Sequence, residues 1–490
     1  MATIKKLAGQ TVIYGMPTIL GRLLNYLLVP LQTYVFATDQ YGIIGELYAW
    51  MSLLLVILTY GFETAFFRFS QEEGLKDRTY STSLISLLTT STLFMGVALL
   101  FSNQIASVMN YAEHPEYIRW VIIIVSIDAF ISISFAKLRL QMRAVKFAVV
   151  KFANIGTNIL LNLLFLALLP YLYAKEIAPE IVNVIYDPSM GVGYVFIANV
   201  VASLVTLLLL IPEIFKVKWC FDFELWKKMM RYALPLLVLG LAGIVNETMD
   251  RVLIKYLSPK DIAQSQVGIY SACYKISIMM TIFIQAFKYA AEPFFFSKAK
   301  DRDAKETYAN VMTVFVLICT IMFVGIMLYI DIIKYFVGPE YHVGLKVVPV
   351  LLMANLFLGI FYNLSIWYKL TDQTRFGAYI TLIGAAITLL FNFLLIPIMG
   401  YYGSAWTTFL CYFTMVLLSY FIGQKYYPIN YQVKKIVYYI LFAVIIYLIS
   451  DILPIQSTKI SLLANTGLLL VYLFVLYLTE NKTMKKIILS

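Results

Sequence analysis

Arg22 lies near the middle of an apolar run, Thr11 to Phe36, that also contains Pro17 and Pro30. A guanidinium at the centre of a membrane-length run costs roughly 2.5–3.5 kcal/mol on insertion scales unless it faces protein or water. Thr11, Gly15, Thr18, Arg22, Asn25 and Gln32 recur at steps of three, four and seven residues, so one helical face of this run is polar throughout. The eighth such run repeats the pattern with Tyr270, Tyr274, Ser277, Thr281, Gln285, Lys288 and Glu292. Together Arg22, Arg251, Lys275 and Lys288 would form a cationic lining for an anionic substrate, and guanidinium groups take phosphate oxygens bidentately. Thr18, Asn25 and Gln285 would extend that lining with neutral polar groups, and rings such as Tyr14 and Tyr26 lie near enough to stack on sugars or an isoprenoid chain.

A second set is acidic. Glu63, Asp128 with Ser132 a turn later, Glu247 and Asp250 all fall within apolar runs, where a carboxyl is a candidate proton or cation relay. Buried carboxyls bonded to neighbouring hydroxyls would leave the same trace in the sequence. Glu247 and Arg251, and likewise Lys288 and Glu292, stand four residues apart, the spacing at which a helical ion pair neutralises itself. Arg251 and Lys288 could also snorkel to the nearer membrane surface. The uncharged stripes Asn154, Asn158, Asn162 and Thr381, Gly384, Thr388, Asn392 suit a cavity lining or ordinary contacts between membrane helices.

The elements that must carry these residues follow from composition. The chain has 490 residues, of which 61% are hydrophobic and 13% charged, against about 45–50% and about 25% in ordinary soluble proteins. Fourteen apolar runs reach the length of about 20 residues that a spanning helix needs, the first at 11–36, the second at 42–67 and the last at 461–479. An all-α integral membrane protein is expected, with both termini in the cytoplasm. With the N-terminus inside, Lys and Arg number 27 on the cytoplasmic side and 6 in the outer loops, Lys255 among the latter. The net charge of +11 is then a topology signal and not a nucleic-acid footprint. The two lysines at 5 and 6, with no clear cleavage site after them, imply that the first run stays as a helix. Four scattered cysteines indicate neither a disulfide framework nor a metal site, and no cofactor is implied.

The chain also divides. A polar segment at 213–228 separates six runs from eight, and motifs recur in order on either side of it: Tyr14-Gly15-Met16-Pro17 against Tyr232-Ala233-Leu234-Pro235, Tyr41-Gly42-Ile43 against Val267-Gly268-Ile269, and Asn162 before Pro170 against Asn392 before Pro397. This is the pattern of a parallel repeat of two six-helix lobes, at 1–212 and 229–424, with two further helices and a tail at 425–490. Pro17 and Pro235 occupy corresponding positions and are candidate hinges.

These residues resemble those of a known family. Asn25-Tyr26-Leu27-Leu28-Val29-Pro30-Leu31 followed by Tyr41-Gly42, Asp250-Arg251 followed by Gly268-Ile269-Tyr270 and Tyr274-Lys275, and the fourteen-span plan resemble the polysaccharide transport branch of the multidrug, oligosaccharidyl-lipid and polysaccharide exporter superfamily. The resemblance covers nearly the whole length. It implies an exporter fold and a flippase that moves polyprenyl-pyrophosphate-linked oligosaccharide across the bacterial inner membrane by alternating access, for surface polysaccharides such as O-antigen. It further implies membrane lipids, a polysaccharide polymerase and chain-length machinery as partners, with Arg22 in a cationic cavity. A drug or cation antiporter of the same fold and a lipid II flippase are the alternatives. A membrane glycan polymerase is disfavoured, because the longest outer loop is short and His114 and His342, the only histidines, fall in outer loops.

Replacing Arg22 by Ala is expected to leave a stably inserted protein that no longer supports surface polysaccharide; normal polysaccharide in a strain carrying only this variant would contradict the role given to Arg22.

Overall fold

The computed structural model describes residues 20, 21, 23–452 and 458–488, so Thr11, Tyr14, Gly15, Pro17, Thr18 and Arg22 lie outside the described residues. Every described element is helical. Thirteen helices among the described residues are long and apolar enough to span a membrane, their bounds within a few residues of the runs expected from the second onward. The first expected run lies largely outside the description. The chain is therefore a multi-pass membrane protein.

The principal helices are α1 (Leu28–Val35), α2 (Thr38–Thr59), α3 (Phe62–Phe69), α4 (Lys76–Leu100), α5 (Pro115–Leu140), α6 (Ala144–Leu163), α7 (Gly193–Phe215), α8 (Phe223–Leu257), α9 (Ala263–Lys298), α10 (Ala304–Leu328), α11 (Val348–Leu364), α12 (Thr374–Met399), α13 (Tyr401–Tyr426), α14 (Val433–Ile452) and α15 (Thr458–Ile488). Two departures from the expected runs have local causes. The second run is divided between α2 and α3 by Tyr60 and Gly61, both left-handed at φ 35° and 73°. Gly61 lacks the Cβ that this backbone disfavours, and an added one would lie 3.1 Å from the carbonyl of Ala233 in α8. Beyond α6 the helix widens into a π turn over Leu164–Leu168. Pro170, two residues later, has no N–H for the preceding turn, which the shift in hydrogen bonding accommodates.

The helices fall into two compact units, Met1–Ala272 with Thr381–Ser404, and Cys273–Ile380 with Ala405–Ser490. In the first, α5 packs against α4 and α7, α7 against α6, and α2 against α8. One end of this unit holds an apolar cluster built on Tyr60, Phe62, Phe66, Tyr80, Phe135 and Met229. Beside it Glu213, its side chain 1% exposed, is held by Arg143 at 2.6 Å and Lys146 at 2.5 Å. Glu213, expected to begin the linker, thus belongs to the last turn of α7. In the second unit α10 packs on α11, α14 and α15, and Asn465 of α15 donates to the main chain of Leu328 at 2.8 Å.

Within the first unit the uncharged stripes meet residues of other helices. Gln32 of α1 donates to Asn162 of α6 at 3.2 Å, and Asn162 donates to the carbonyl of Asn158 at 2.8 Å. Correspondingly, Asn246 of α8 accepts from Thr388 of α12 at 3.0 Å, and Asn392 donates to the carbonyl of Thr388 at 2.8 Å. The uncharged stripes therefore join helices. The matching glycines meet each other: a Cβ on Gly42 would collide with the carbonyl oxygen of Gln264, and one on Gly268 with that of Thr38. Each glycine faces the carbonyl four residues before the other, so α2 and α9 cross with a local two-fold relation and nearly touching backbones.

Gly268→Ala cannot be absorbed by rotating a side chain, because the obstructing atom is backbone. It should lower stability by about 1–3 kcal/mol, the usual range for overpacking, read as an earlier thermal transition in detergent; an unchanged transition would contradict the close crossing.

Candidate functional site

Beside this crossing lies a deeply buried charge cluster of the first unit. Glu46 is one turn beyond Gly42 on α2 and fully buried, and Lys255, near the end of α8, has a side chain 7% exposed. Lys255 Nζ donates to Glu46 Oε2 at 2.7 Å and to the carbonyl of Met109 at 2.8 Å. The Tyr111 hydroxyl donates to the same carboxylate oxygen, and Gln264 Nε2 lies 3.4 Å from that oxygen and 3.3 Å from the Tyr111 hydroxyl. The Lys255 ammonium also rests 4.0 Å from the centre of the Tyr111 ring. Burial first, and the Glu46 carboxylate second, hold the Tyr111 phenol well above its ordinary range, so it remains a donor at neutral pH. At the same crossing the hydroxyls of Thr38 and Ser265 are 2.6 Å apart. Four segments distant in sequence are thus fastened at one carboxylate.

A turn earlier on α8, Asp250 takes both the side chain and the main-chain N–H of Arg251 at 2.8 Å on one oxygen, and the Tyr270 hydroxyl at 2.6 Å on the other. Spacing offers Glu247 as a partner for Arg251; the Arg251 guanidinium donates to the adjacent Asp250 and, at 3.1 Å, to the main-chain carbonyl of Glu247. The Arg251 side chain is 11% exposed.

Other expected residues also find partners that spacing alone does not give. Glu63 pairs with Arg139 of α5 at 2.5 Å. Asp128 accepts from Ser203 of α7 at 2.8 Å, while Ser132 turns to the carbonyl of Ala129. In the second unit, the expected pair Lys288 and Glu292 does not form as such, because Glu292 pairs with Lys369 at 2.7 Å. The Lys288 ammonium sits 4.4 Å from the centre of the Tyr362 ring. Lys275 and Gln285 are half-buried on α9, Asn25 and Glu247 are exposed, and Pro235 stands inside α8.

Glu46, Tyr111, Lys255 and Gln264 are absent from the residues singled out by spacing. Lys255 read as a loop charge, yet α8 continues to Leu257 and draws it inside. The available signal was Glu46, a carboxylate within the second apolar run alongside Glu63; its partner lies 209 residues away. No metal-binding group of three or more His, Cys, Asp or Glu occurs among the described residues.

Lys255→Met leaves the buried Glu46 without its cation and should destabilise the protein by about 3–5 kcal/mol, whereas the double change with Glu46→Gln removes both charges and should recover much of the loss. Thermal unfolding of the three proteins in detergent checks the order; a single variant as stable as the double would contradict the pairing.

The family model described as polysaccharide biosynthesis protein matches residues 7–298. No curated protein compared with the chain matches it. Among solved structures, the chain is similar to the lipid II flippase MurJ in an inward closed conformation, at 15% identity and TM-score 0.74, over 96% of this chain and 100% of that one. It is similar to an inward-facing multidrug resistance MATE family transporter of the MOP superfamily, at 14% identity and TM-score 0.66, over 85% and 97%. A MOP superfamily transporter from Pyrococcus furiosus, described by a reversed polarity of its binding pocket, matches at 14% identity and TM-score 0.61, over 85% and 95%. At these identities the likeness establishes the fold, which is that of the exporters.

Proposed function

Because the chain belongs to the polysaccharide biosynthesis protein family, we propose that it is a flippase that carries polyprenyl-pyrophosphate-linked oligosaccharide from the cytoplasmic to the outer leaflet of the bacterial inner membrane. It does so by alternating access between the lobes at 1–212 and 229–424, with both termini in the cytoplasm and Pro17 and Pro235 as hinges. The observation that carries this reading is the reciprocal crossing of α2 and α9 with the Glu46 and Lys255 pair beside it. These are the second helix of one repeat and the first and second of the other. On the proposed topology their junction lies at the outer end, where it closes the path outward while the inner end admits cargo.

The cargo's pyrophosphate needs compensating charge once its water is removed. Arg22, with Arg251, Lys275 and Lys288, supplies the cations we assign to it; in the structure Arg251 also engages Asp250 and Lys288 lies over Tyr362. Glu63 and Asp128, with Glu247 and Asp250, are the candidates for ion coupling. The polyprenyl tail stays in lipid, and no covalent bond changes. The oligosaccharide, once outside, passes to polymerase and chain-length machinery.

Purified protein reconstituted in liposomes with a fluorescent undecaprenyl-pyrophosphate oligosaccharide should raise the fraction of headgroup reached by an added lectin above that of protein-free liposomes. A lectin-accessible fraction equal to the protein-free control, or the appearance of a covalently altered glycan, would overturn the reading.

A further inference from the structure

In the first unit the ends of α5, α6 and α7 bring four cations to one glutamate. Arg143 at 2.6 Å, Lys146 at 2.5 Å and Lys216 at 3.6 Å all meet the same oxygen, Oε1, of Glu213. Lys137, 4% exposed, donates to the main-chain carbonyl of Glu213 at 3.0 Å and rests 3.9 Å from the centre of the Tyr80 ring. Asp77, in the first turn of α4, is the other carboxylate whose charge acts on Lys137. The adjoining pairs Arg78 with Asp222 and Arg139 with Glu63 are each neutral. Four positive charges thus face two negative ones. The Glu213 side chain is closed off, whereas those of Arg143 and Lys216 are 38% and 59% exposed, so the excess charge is open to the surroundings.

Depth and neighbours narrow what can balance that charge. The spans Pro115–Leu140, Ala144–Ala174 and Gly193–Phe215 end or begin within one helical turn of all four cations. The charges therefore stand at the level of lipid headgroups and not in hydrocarbon. Beside them Phe215 and Trp219 are exposed, their rings 6.0 Å apart, as aromatic side chains are at a membrane boundary. A neutral sugar would leave the excess charge unbalanced, and a zwitterionic headgroup would bring its own ammonium up to the lysines. A soluble phosphate would balance the charge and leave the two rings uncovered. An anionic phospholipid does both: its phosphodiester oxygens suit the Arg143 guanidinium and the Lys216 ammonium, and its glycerol and first methylenes lie at the depth of Phe215 and Trp219. Basic pockets between spanning helices are the usual seat of such headgroups.

We propose that the basic cluster around Glu213 binds the phosphodiester headgroup of an anionic phospholipid, which ties together the ends of α5, α6 and α7. The ligand is a lipid of the surrounding bilayer, so the site is independent of what the chain transports.

Native mass spectrometry of the full-length protein in non-ionic detergent, with equimolar phosphatidylglycerol and phosphatidylcholine, tests this directly. Phosphatidylglycerol should be retained in preference to phosphatidylcholine, and inorganic phosphate or pyrophosphate at the same concentration should not displace it. Lys216→Glu leaves Glu213 with Arg143 and Lys146 and should weaken phosphatidylglycerol about tenfold, the worth of one charge-assisted hydrogen bond. Lys298→Glu, an equal change of charge at an exposed lysine of the second unit, should leave it unchanged. Lys216→Gln, with a smaller loss in the same direction, serves if Lys216→Glu fails to fold. Equal retention of the two lipids, or an equal loss in Lys216→Glu and Lys298→Glu, would overturn the proposal. Displacement by phosphate or pyrophosphate would overturn it too, by making the cluster a site for a free anion or for the cargo's pyrophosphate.

Discussion

The arrangement of the first unit hangs on the close approach of two backbones. Where α2 crosses α9, Gly42 faces the carbonyl of Gln264 and Gly268 faces that of Thr38, each leaving no room for a Cβ. Without a hydrophobic driving force between helices in lipid, such an approach gains its energy from van der Waals contact and short-range polar bonds. The Thr38 and Ser265 hydroxyls, 2.6 Å apart, add one such bond at the same level. The contact is reciprocal, each glycine facing the carbonyl four residues before the other.

Close backbones also make the nearby charge tolerable. Glu46 is completely buried, and a buried carboxylate is costly unless paired and hydrogen-bonded. The crossing brings Gln264 within reach, α8 brings Lys255, and the segment after α4 brings Tyr111 and the Met109 carbonyl. A separation of α2 from α8 and α9 would break these bonds together. On the proposed mechanism that coupling would make the cluster a latch, since removing a buried charge from its partner is costly.

The membrane class and nearly all the span bounds are legible in the sequence, because hydrophobic length is a local property. Motif order matches Gly42 with Gly268 as repeats of each other, but it carries no sign that the two are in mutual contact. Ion pairs are the least legible. Arg251 and Lys288 each have a carboxylate four residues away, yet Arg251 engages the adjacent Asp250 and Glu292 reaches across to Lys369. In lipid a charge takes whichever partner the tertiary packing delivers, and the helical spacing that would serve at a water-exposed surface loses. Lys255 is misplaced by sequence reasoning for a related reason: at the very end of its run a lysine reads as an outer-loop charge, and the carboxylate that holds it inside is distant in sequence.

On the proposed mechanism the crossing of α2 and α9 must open for cargo to pass outward. Thr38→Cys and Ser265→Cys, in a chain whose exposed Cys220 is replaced by Ser, allow the crossing to be locked and glycan transfer to be measured before and after oxidation. The disulfide should form in the resting protein and stop transfer, and added reductant should restore it. Transfer at the full rate through the cross-linked protein would mean that cargo does not pass by this crossing.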